Sequence, residues 1–397
     1  MSPARDEALE VFRKQQQDAR KRVAPLGTPG DRADVLAQAL AHAQAREAGC
    51  VERDGYLHTN IFRYPVASER KRCARTREIL ERSSPGPDED GVYLEMIARQ
   101  AASIEMMLRG ELAAAPAAKM QQICDRVLLG TLPAVDLDAY AKRHGDFYFV
   151  QLSAGLIDFL YQTSKAVVLS WKPSPPPPQG AGVSFKCEPE DVQSVLAADP
   201  APYRLFVATL EAYLFRGSPR SATSRLPPQQ YHPPLEMLTN FNERFVLAHE
   251  YCHTLHDAFD IVHTGVAFGE EFASDAIAFQ LVAESGQQLD RVPPNMSTLG
   301  SHYVLTALGV IHEALDVVRF GAVQPDKGFL GHPPVEARLD ALRTWYQEKV
   351  SRDDGMLAMK AALYPANTLR LLWQRLRDDG VAERWKGREL DPVWAGV

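Results

Sequence analysis

The spacing of apolar residues predicts which parts of the chain are helical and where a sheet begins. Up to about residue 140, apolar residues recur every three or four positions among good helix formers, as in ARDEALEVFRKQQQDARKRV (4–23) and DGVYLEMIARQAASIEMMLRGELAAA (90–115). Near residue 145 the pattern changes to a run of aromatic and β-branched residues, Phe147 to Leu152, which predicts a short strand. From Leu235 onward the pattern is again almost entirely helical. The fold class expected is mainly α with a small β-sheet, an α+β protein.

The same changes predict the domain organisation. We expect residues 1–140 to form a helical N-terminal region and residues 141–397 to form one larger domain. Within that domain two irregular stretches, KPSPPPPQGAG (172–182) and RGSPRSATSRLPPQQYHPP (216–234), carry too many prolines to continue a helix. They predict a proline-rich insertion spanning residues 172–234.

Composition narrows the classes of function. The formal net charge of −7 disfavours a nucleic-acid-binding surface, and acidic residues interrupt the local basic run ERKRCARTRE (69–78), which we interpret as a solvated helix face. The five cysteines include no C-x-x-C pair, as is typical of a reducing compartment. A charged N-terminus predicts no signal peptide, and no apolar stretch is long and clean enough to span a bilayer. We therefore expect a cytoplasmic protein with no nucleic-acid and no membrane partner.

The stretch HEYCH (249–253) has the form H-E-x-x-H. On a helix, His249 and His253 lie on one face, with Cβ atoms about 5–6 Å apart, so that both rings can reach one metal ion. Glu250 is rotated about 100° from His249, a position that suits a general base acting on metal-bound water. Tyr251 and Cys252 are expected only to fill the space between these residues. The alternative is a helix whose buried histidines satisfy hydrogen bonds in the core.

A third ligand decides between these interpretations. The arrangement H-E-x-x-H-x-x-G-x-x-H fails, because His256 and Phe259 occupy the positions of the glycine and the third histidine. A carboxylate pair, Glu271 and Asp275, lies four residues apart in the helical segment GEEFASDAIAFQLV (269–282). Glu271 can complete three protein ligands and leave a fourth position open, while Asp275 can accept the other ring N–H of a ligating histidine. Glu270 is the rival third ligand.

At this point the chain resembles the gluzincins, the zinc peptidases with H-E-x-x-H on one helix and E-x-x-S/A-D on the next, since EFASD (271–275) fits the second motif. Within this class it is most similar to the CAAX prenyl endopeptidase family and its soluble bacterial relatives. The segment GDFYFVQLSAGLIDFL (145–160) resembles the family's edge strand, glycine turn and helix, and GHPPVEARLDAL (331–342) resembles its H-P-P-x-x-x-R segment. The resemblance covers about residues 145–345. It implies a zincin-like core with an active-site helix, an edge strand and a glutamate helix.

The resemblance also implies a role for each matching residue. By position in the motifs, the zinc ligands are His249, His253 and Glu271, the general base is Glu250, the orienting carboxylate is Asp275, the oxyanion donor is His332, and Arg338 braces the site. Members embedded in membranes carry hydrophobic spans that this chain lacks, so prenylated membrane substrates are not implied.

The function predicted is that of a soluble zinc-dependent endopeptidase with a protein or peptide substrate. An extended peptide would add to the exposed edge of the strand at Phe147 to Leu152, where Phe149, Gln151 and Ser153 would contact it. Metal-activated water, with Glu250 as general base, would hydrolyse the peptide bond. Two alternatives stay open. One is a sensor or binding protein whose zinc site is secondary to recognition by the N-terminal region, and the other is a zinc amidohydrolase acting on a small amide.

Overall fold

The structure is a computed structural model that describes the greater part of the chain. The described residues are 3–21, 37, 39–41, 43–44, 51–53, 56–58, 63–83, 91–110, 118–132, 137–174, 184–216, 227–263, 268–292, 294–324, 332–349 and 352–394. They divide into two compact units, one of Met1–Ile157 with Glu243–Ser297 and the other of Asp158–Asn242 with Thr298–Val397. The predicted division at residue 140 stays a prediction, and the predicted insertion at 172–234 lies partly outside the described residues.

The described residues are mainly helical, as predicted. In chain order the helices are α1 (Pro3–Lys21), α2 (Val66–Ser83), α3 (Gly91–Leu108), α4 (Ala118–Cys124), α5 (Ala154–Leu169), α6 (Pro189–Ala198), α7 (Ala201–Arg216), α8 (His232–Ala258), α9 (Gly269–Ser285), α10 (Pro294–Ser297), α11 (Leu299–Phe320), α12 (Val335–Lys349) and α13 (Arg352–Asp378). The strands are β1 (Val51–Arg53), β2 (Tyr56–His58), β3 (Arg63–Pro65), β4 (Val127–Leu132), β5 (Ala139–His144), β6 (Phe147–Ser153), β7 (Lys172–Ser174) and β8 (Ser184–Lys186). Among the described helices, none combines the length and the apolar character that a bilayer crossing needs.

The first unit contains the sheet that the sequence predicts near residue 145. Its order is β4-β6-β5, with β6 parallel to β4 and antiparallel to β5. A two-residue turn joins β5 to β6, and its first residue, Gly145, has φ +56°. A positive φ at this position is typical of the tight hairpin turns whose twist matches the flanking strands, and it favours glycine. Strands β1, β2 and β3 form a separate antiparallel sheet in the same unit.

Helix α1 covers the β4-β6-β5 sheet. Its apolar residues Leu9 and Phe12 are buried in one cluster with Leu128 of β4 and Phe149 of β6. The rings of Phe12 and Phe149 lie 5.0 Å apart between centroids, within the range of favourable aromatic pairs. The N-terminal periodicity therefore marks a helix face that is buried against the sheet.

The prediction of an exposed edge strand is wrong. Strand β6 is the middle strand, so both of its backbone edges are hydrogen-bonded, and Phe149, Gln151 and Ser153 are all 0% exposed. Each has a structural partner: Phe149 packs on α1, Gln151 accepts a hydrogen bond from Tyr140 of β5, and the Ser153 hydroxyl accepts one from the Leu156 amide at 3.0 Å, which caps α5. A near-continuous apolar strand is typical of burial on both faces. The predicted substrate contacts at these three residues are therefore withdrawn.

A buried network of charges joins the helices of the first unit. Glu69 of α2 pairs with Arg72 and with Arg99 of α3, the latter at 2.6 Å. Asp290, just beyond α9, pairs with Arg72 at 2.5 Å and with Arg244 of α8 at 2.6 Å. Each of these side chains is at most 10% exposed. The basic run at 69–78 is therefore only partly a solvated face, because Arg72 is buried within this network.

The second unit is built of helices with the short hairpin β7-β8. Helix α11 comes very close to the first part of α8, since a Cβ on Gly300 would lie 2.3 Å from the backbone carbonyl carbon of Phe241. Only glycine allows this approach without displacement of one backbone. His332 precedes α12 in this unit, and Arg338 is a buried residue of α12.

Candidate metal centre

Two consecutive helical segments of the first unit, residues 243–258 of α8 and helix α9, carry the residues that the motifs predict. Helix α8 includes His249, Glu250 and His253 near its C-terminal end, and helix α9 carries Glu271 in its first turn and Asp275 one turn later. Both segments are helical because apolar residues recur at helical spacing and good helix formers separate them. The i, i+4 spacing then places both imidazoles on one face of α8.

Three potential ligand side chains meet at this point. The Nε2 atoms of His249 and His253 lie 3.1 Å apart. Each is 3.5 Å from a carboxylate oxygen of Glu271, His249 from Oε2 and His253 from Oε1. A tetrahedral zinc site with bonds of about 2.0–2.1 Å separates its ligand atoms by about 3.3 Å. The donors His249, His253 and Glu271 therefore have the spacing that one such ion requires.

The opposite nitrogens of both imidazoles face carboxylates. Nδ1 of His249 lies 3.0 Å from Oδ1 of Asp275, which is 1% exposed, but the ring N–H is not aligned with that oxygen as a hydrogen bond requires. Nδ1 of His253 lies 2.7 Å from Oε1 of Glu270. A carboxylate only accepts, so the contact with Glu270 favours the tautomer of His253 that carries the proton on Nδ1. Glu270, the rival third ligand, thus contacts the far nitrogen of His253, and Glu271 contacts the near one.

The two Nε2 atoms face one another across this arrangement. When Nδ1 of each ring carries the proton, both Nε2 atoms are acceptors, and neither can donate across the 3.1 Å that separates them. Burial and the neighbouring His249 lower the pKa of His253, although Glu270 and Glu271 oppose the shift. A neutral ring keeps its Nε2 lone pair available. The arrangement is one that a cation would stabilise.

Glu250 and Cys252 complete the motif with different properties. Glu250 is 5% exposed, so its carboxylate is in a largely water-excluded environment. Burial, together with Asp275 and Glu250, raises the pKa of the Cys252 thiol far above its usual range. Cys252 is therefore a neutral thiol in the core. Since only a thiolate serves as a metal ligand or nucleophile, Cys252 has neither role.

Tyr251 has a role that the sequence interpretation missed. Its hydroxyl donates to Oε1 of Glu105 on α3 at 2.9 Å, and both side chains are at most 1% exposed. The same carboxylate pairs with Arg82 of α2 at 2.6 Å and with Arg109 at 3.3 Å. The expectation that Tyr251 only fills space is wrong: it joins the metal-site helix to the N-terminal helices. A sequence signal existed, since Glu105 interrupts the apolar run SIEMML (103–108), and a charge on an apolar helix face needs a buried partner.

His332 and Arg338 belong to the second unit, whereas the other predicted site residues belong to the first. The oxyanion role of His332 and the bracing role of Arg338 stay predictions.

Comparison with known proteins finds no family model, no curated protein and no solved structure that matches this chain. The chemistry of the centre therefore follows from its own donors: two imidazoles and one carboxylate that could hold a single metal ion, with two further carboxylates behind the imidazoles.

Proposed function

We propose that this chain is a zinc-dependent endopeptidase of the gluzincin type with a zincin-like core. The observation that carries the proposal is the convergence of His249, His253 and Glu271 at the spacing of a three-ligand zinc site, with Asp275 behind the first imidazole. Catalytic zinc sites have three protein ligands and an open fourth position, whereas structural sites have four. The donor set, two histidines and a glutamate, is one that catalytic zinc sites use.

In this proposal each residue of the centre has a separate role in the reaction. When bound, zinc would polarise the scissile carbonyl and lower the pKa of a water molecule. The Glu250 carboxylate accepts the proton of the attacking water and returns it to the nitrogen of the leaving amine. Asp275 and Glu270 hold the Nδ1 protons, which keeps both Nε2 lone pairs directed at the ion. For His332 we keep the predicted role as a donor to the charge that develops on the carbonyl oxygen.

The peptide would bind at strand β5 in place of β6. Within the described residues β5 pairs only with β6, so its second edge faces no other described strand. The end of β5 is tied to the end of the metal-site helix, because Arg143 lies 3.3 Å from Asp257. An extended peptide that pairs with a free strand edge is bound through its main chain, with little sequence preference. This supports a protein or peptide substrate.

The replacement Glu250→Gln tests the catalytic part of the proposal. It keeps the size of the side chain but removes the base, so we expect the variant to retain zinc and to cleave no substrate. The measurement is a proteome-wide survey of new N-termini after incubation of a cell extract with either protein. Identical cleavage patterns for the wild type and the variant would show that the chain is not this kind of enzyme.

Zinc content tests the ligand set independently of any substrate. We expect Glu271→Ala to lose the tightly bound zinc ion. The matched control is Glu270→Ala, which removes a carboxylate one residue away and is expected to keep the ion with an affinity lower by about 10–100-fold. Full zinc retention by Glu271→Ala would overturn the assignment.

A sensor or binding protein is the second candidate, and the contact between Tyr251 and Glu105 favours it. Through this contact the N-terminal helices touch the residue that follows the general base. A chain whose zinc site serves recognition would bind a partner through the N-terminal region and show no cleavage that depends on Glu250.

A further inference from the structure

A second cluster of donors lies on the other side of His253. His256 is one helical turn beyond His253 and only 4% exposed, and its Nδ1 is 3.8 Å from Oε1 of Glu270. His263 lies just after the end of α8, and its ring packs against that of His256 with centroids 4.8 Å apart. Within the cluster, one ring nitrogen each of His253 and His256 and a carboxylate oxygen of Glu270 all lie within 4.8 Å of one another.

Two atoms of this cluster, a ring nitrogen and a carboxylate oxygen, have no partner among the described residues. Nε2 of His263 is buried and has no hydrogen-bond partner among the described residues. Glu270 uses only Oε1 in its contacts with His253 and His256, so its Oε2 has no partner in the part of the chain that the structure describes. A buried nitrogen without a partner costs free energy, which a bound cation would recover. The Glu270 side chain is 50% exposed, so an ion can reach the cluster from solvent.

We propose that Glu270, His256 and His263 hold a second divalent transition-metal ion, distinct from the centre of His249, His253 and Glu271. Imidazole nitrogens with one carboxylate suit zinc, cobalt and nickel. His253 is excluded as a ligand of this ion, because the 2.7 Å between its Nδ1 and Glu270 is a hydrogen-bond distance, shorter than the separation of two ligands on one ion. Its Nδ1 keeps the proton, and its Nε2 belongs to the first centre.

The second site binds more weakly than the first. His256 and Glu270 are 3.8 Å apart, while ligands of a tetrahedral ion are about 3.3 Å apart, so the side chains must close by a few tenths of an ångström. Glu270 also links the two sites, since the same carboxylate accepts the Nδ1 proton of His253. An ion bound to Glu270 weakens its carboxylate as the hydrogen-bond acceptor of His253, so excess zinc would reduce peptide cleavage. This effect on cleavage rests on the proposed function, whereas the second site itself does not.

The experiment measures zinc stoichiometry in the full chain by equilibrium dialysis and elemental analysis over a series of free zinc concentrations. We expect two ions per wild-type chain, one tight and one weak. The double variant His256→Gln/His263→Gln should bind only the tight ion. Glu271→Ala should bind only the weak one. The control His232→Gln, which removes a histidine elsewhere in the chain, should bind two.

A second variant protects the test against misfolding of the double variant. Glu270→Gln removes the carboxylate alone and should also lose the weak ion while it retains the tight one. A folded His256→Gln/His263→Gln or Glu270→Gln variant that binds as many ions as the wild type overturns the second site, and so does a wild type that binds one ion and a Glu271→Ala variant that binds none. Failure of the first centre gives a different result, in which Glu271→Ala and the wild type bind the same number of ions.

Discussion

Replacing Glu105 by glutamine tests whether the N-terminal helices support the helix of the metal centre. Glu105 is 0% exposed and accepts the hydroxyl of Tyr251 at 2.9 Å, while its carboxylate neutralises Arg82 and Arg109. Glutamine keeps the shape and an acceptor for Tyr251 but removes the negative charge. The guanidinium of Arg82, which is 12% exposed, then loses its carboxylate partner in the described contacts.

The expected loss of stability follows from the partners that each charged group retains. Removing one member of a buried ion pair costs about 3–5 kcal/mol, because the other charge stays buried. Arg109 retains Asp125 at 2.8 Å, so a loss near the lower limit, about 3 kcal/mol, is expected. Tyr251→Phe removes only one hydrogen bond to a charged group, which contributes about 1.5–3 kcal/mol, and it leaves both arginines paired. Glu105→Gln should therefore be at least as destabilising as Tyr251→Phe.

Hydrogen exchange of the first unit is the appropriate assay. All five tryptophans lie in the second unit, so intrinsic fluorescence does not report directly on this contact. Mass spectrometry of peptides from α3 and from residues 243–258 measures the local free energy of opening. We expect protection in Glu105→Gln to fall by roughly 100-fold, which corresponds to about 3 kcal/mol.

The control is Glu78→Gln on α2, where a half-exposed carboxylate pairs with Arg75 at the surface. A surface pair of this kind contributes about 0–1 kcal/mol. If Glu105→Gln exchanges no faster than this control in both groups of peptides, the buried carboxylate does not stabilise the metal-site helix, and the reasoning from burial is refuted.

Three further predictions concern pH, packing and metal affinity. Burial raises the pKa of Glu69, but its two arginine partners lower it overall to about 2. The stabilising contribution of Glu69 is therefore complete above its ordinary pKa of 4.5 and is lost as the pH falls toward 2. The difference in unfolding free energy between wild type and Glu69→Gln should shrink across that range. Gly300→Ala should destabilise the second unit by about 1–3 kcal/mol in a denaturant titration followed by tryptophan fluorescence, because the added Cβ meets the backbone of Phe241, and an increase in stability would contradict that packing. Asp275→Asn should weaken zinc binding by about 10–100-fold in a chelator competition, since the carboxylate behind Nδ1 of His249 is lost, and an unchanged affinity would contradict its orienting role.

The candidate centre was predictable because its pattern is local. His249 and His253 share a helix face by virtue of a four-residue spacing, and Glu271 and Asp275 repeat that spacing on the next helix. In a helix, the spacing between two residues fixes the relative directions of their side chains, so apolar periodicity and the motif were enough to choose these side chains. The meeting of the two helices was suggested by the order of the motifs, but the separations of 3.1 and 3.5 Å between the ligand atoms are visible only in the folded chain.

The error at β6 concerns strand pairing, which the local pattern of residues does not specify. The apolar run at β6 predicted a strand correctly, yet whether a strand lies at the edge or in the middle depends on which other strands pair with it. Local composition cannot report that β4 and β5 flank it on both sides. An apolar run on both faces was the available signal for a middle strand.

Sequence alone determined the helical character of the chain, the strand after residue 145 and the residue types of the candidate metal centre, because each depends on propensity and on spacings of a few residues. Tertiary structure decided the partners of the buried charges. Tyr251 and Glu105 are separated by 146 residues, and Arg72 and Asp290 by 218. No periodicity in a sequence encodes such pairs. They form because a charge carried into the core by its own helix requires an opposite charge or a hydrogen bond from whichever helix packs against it.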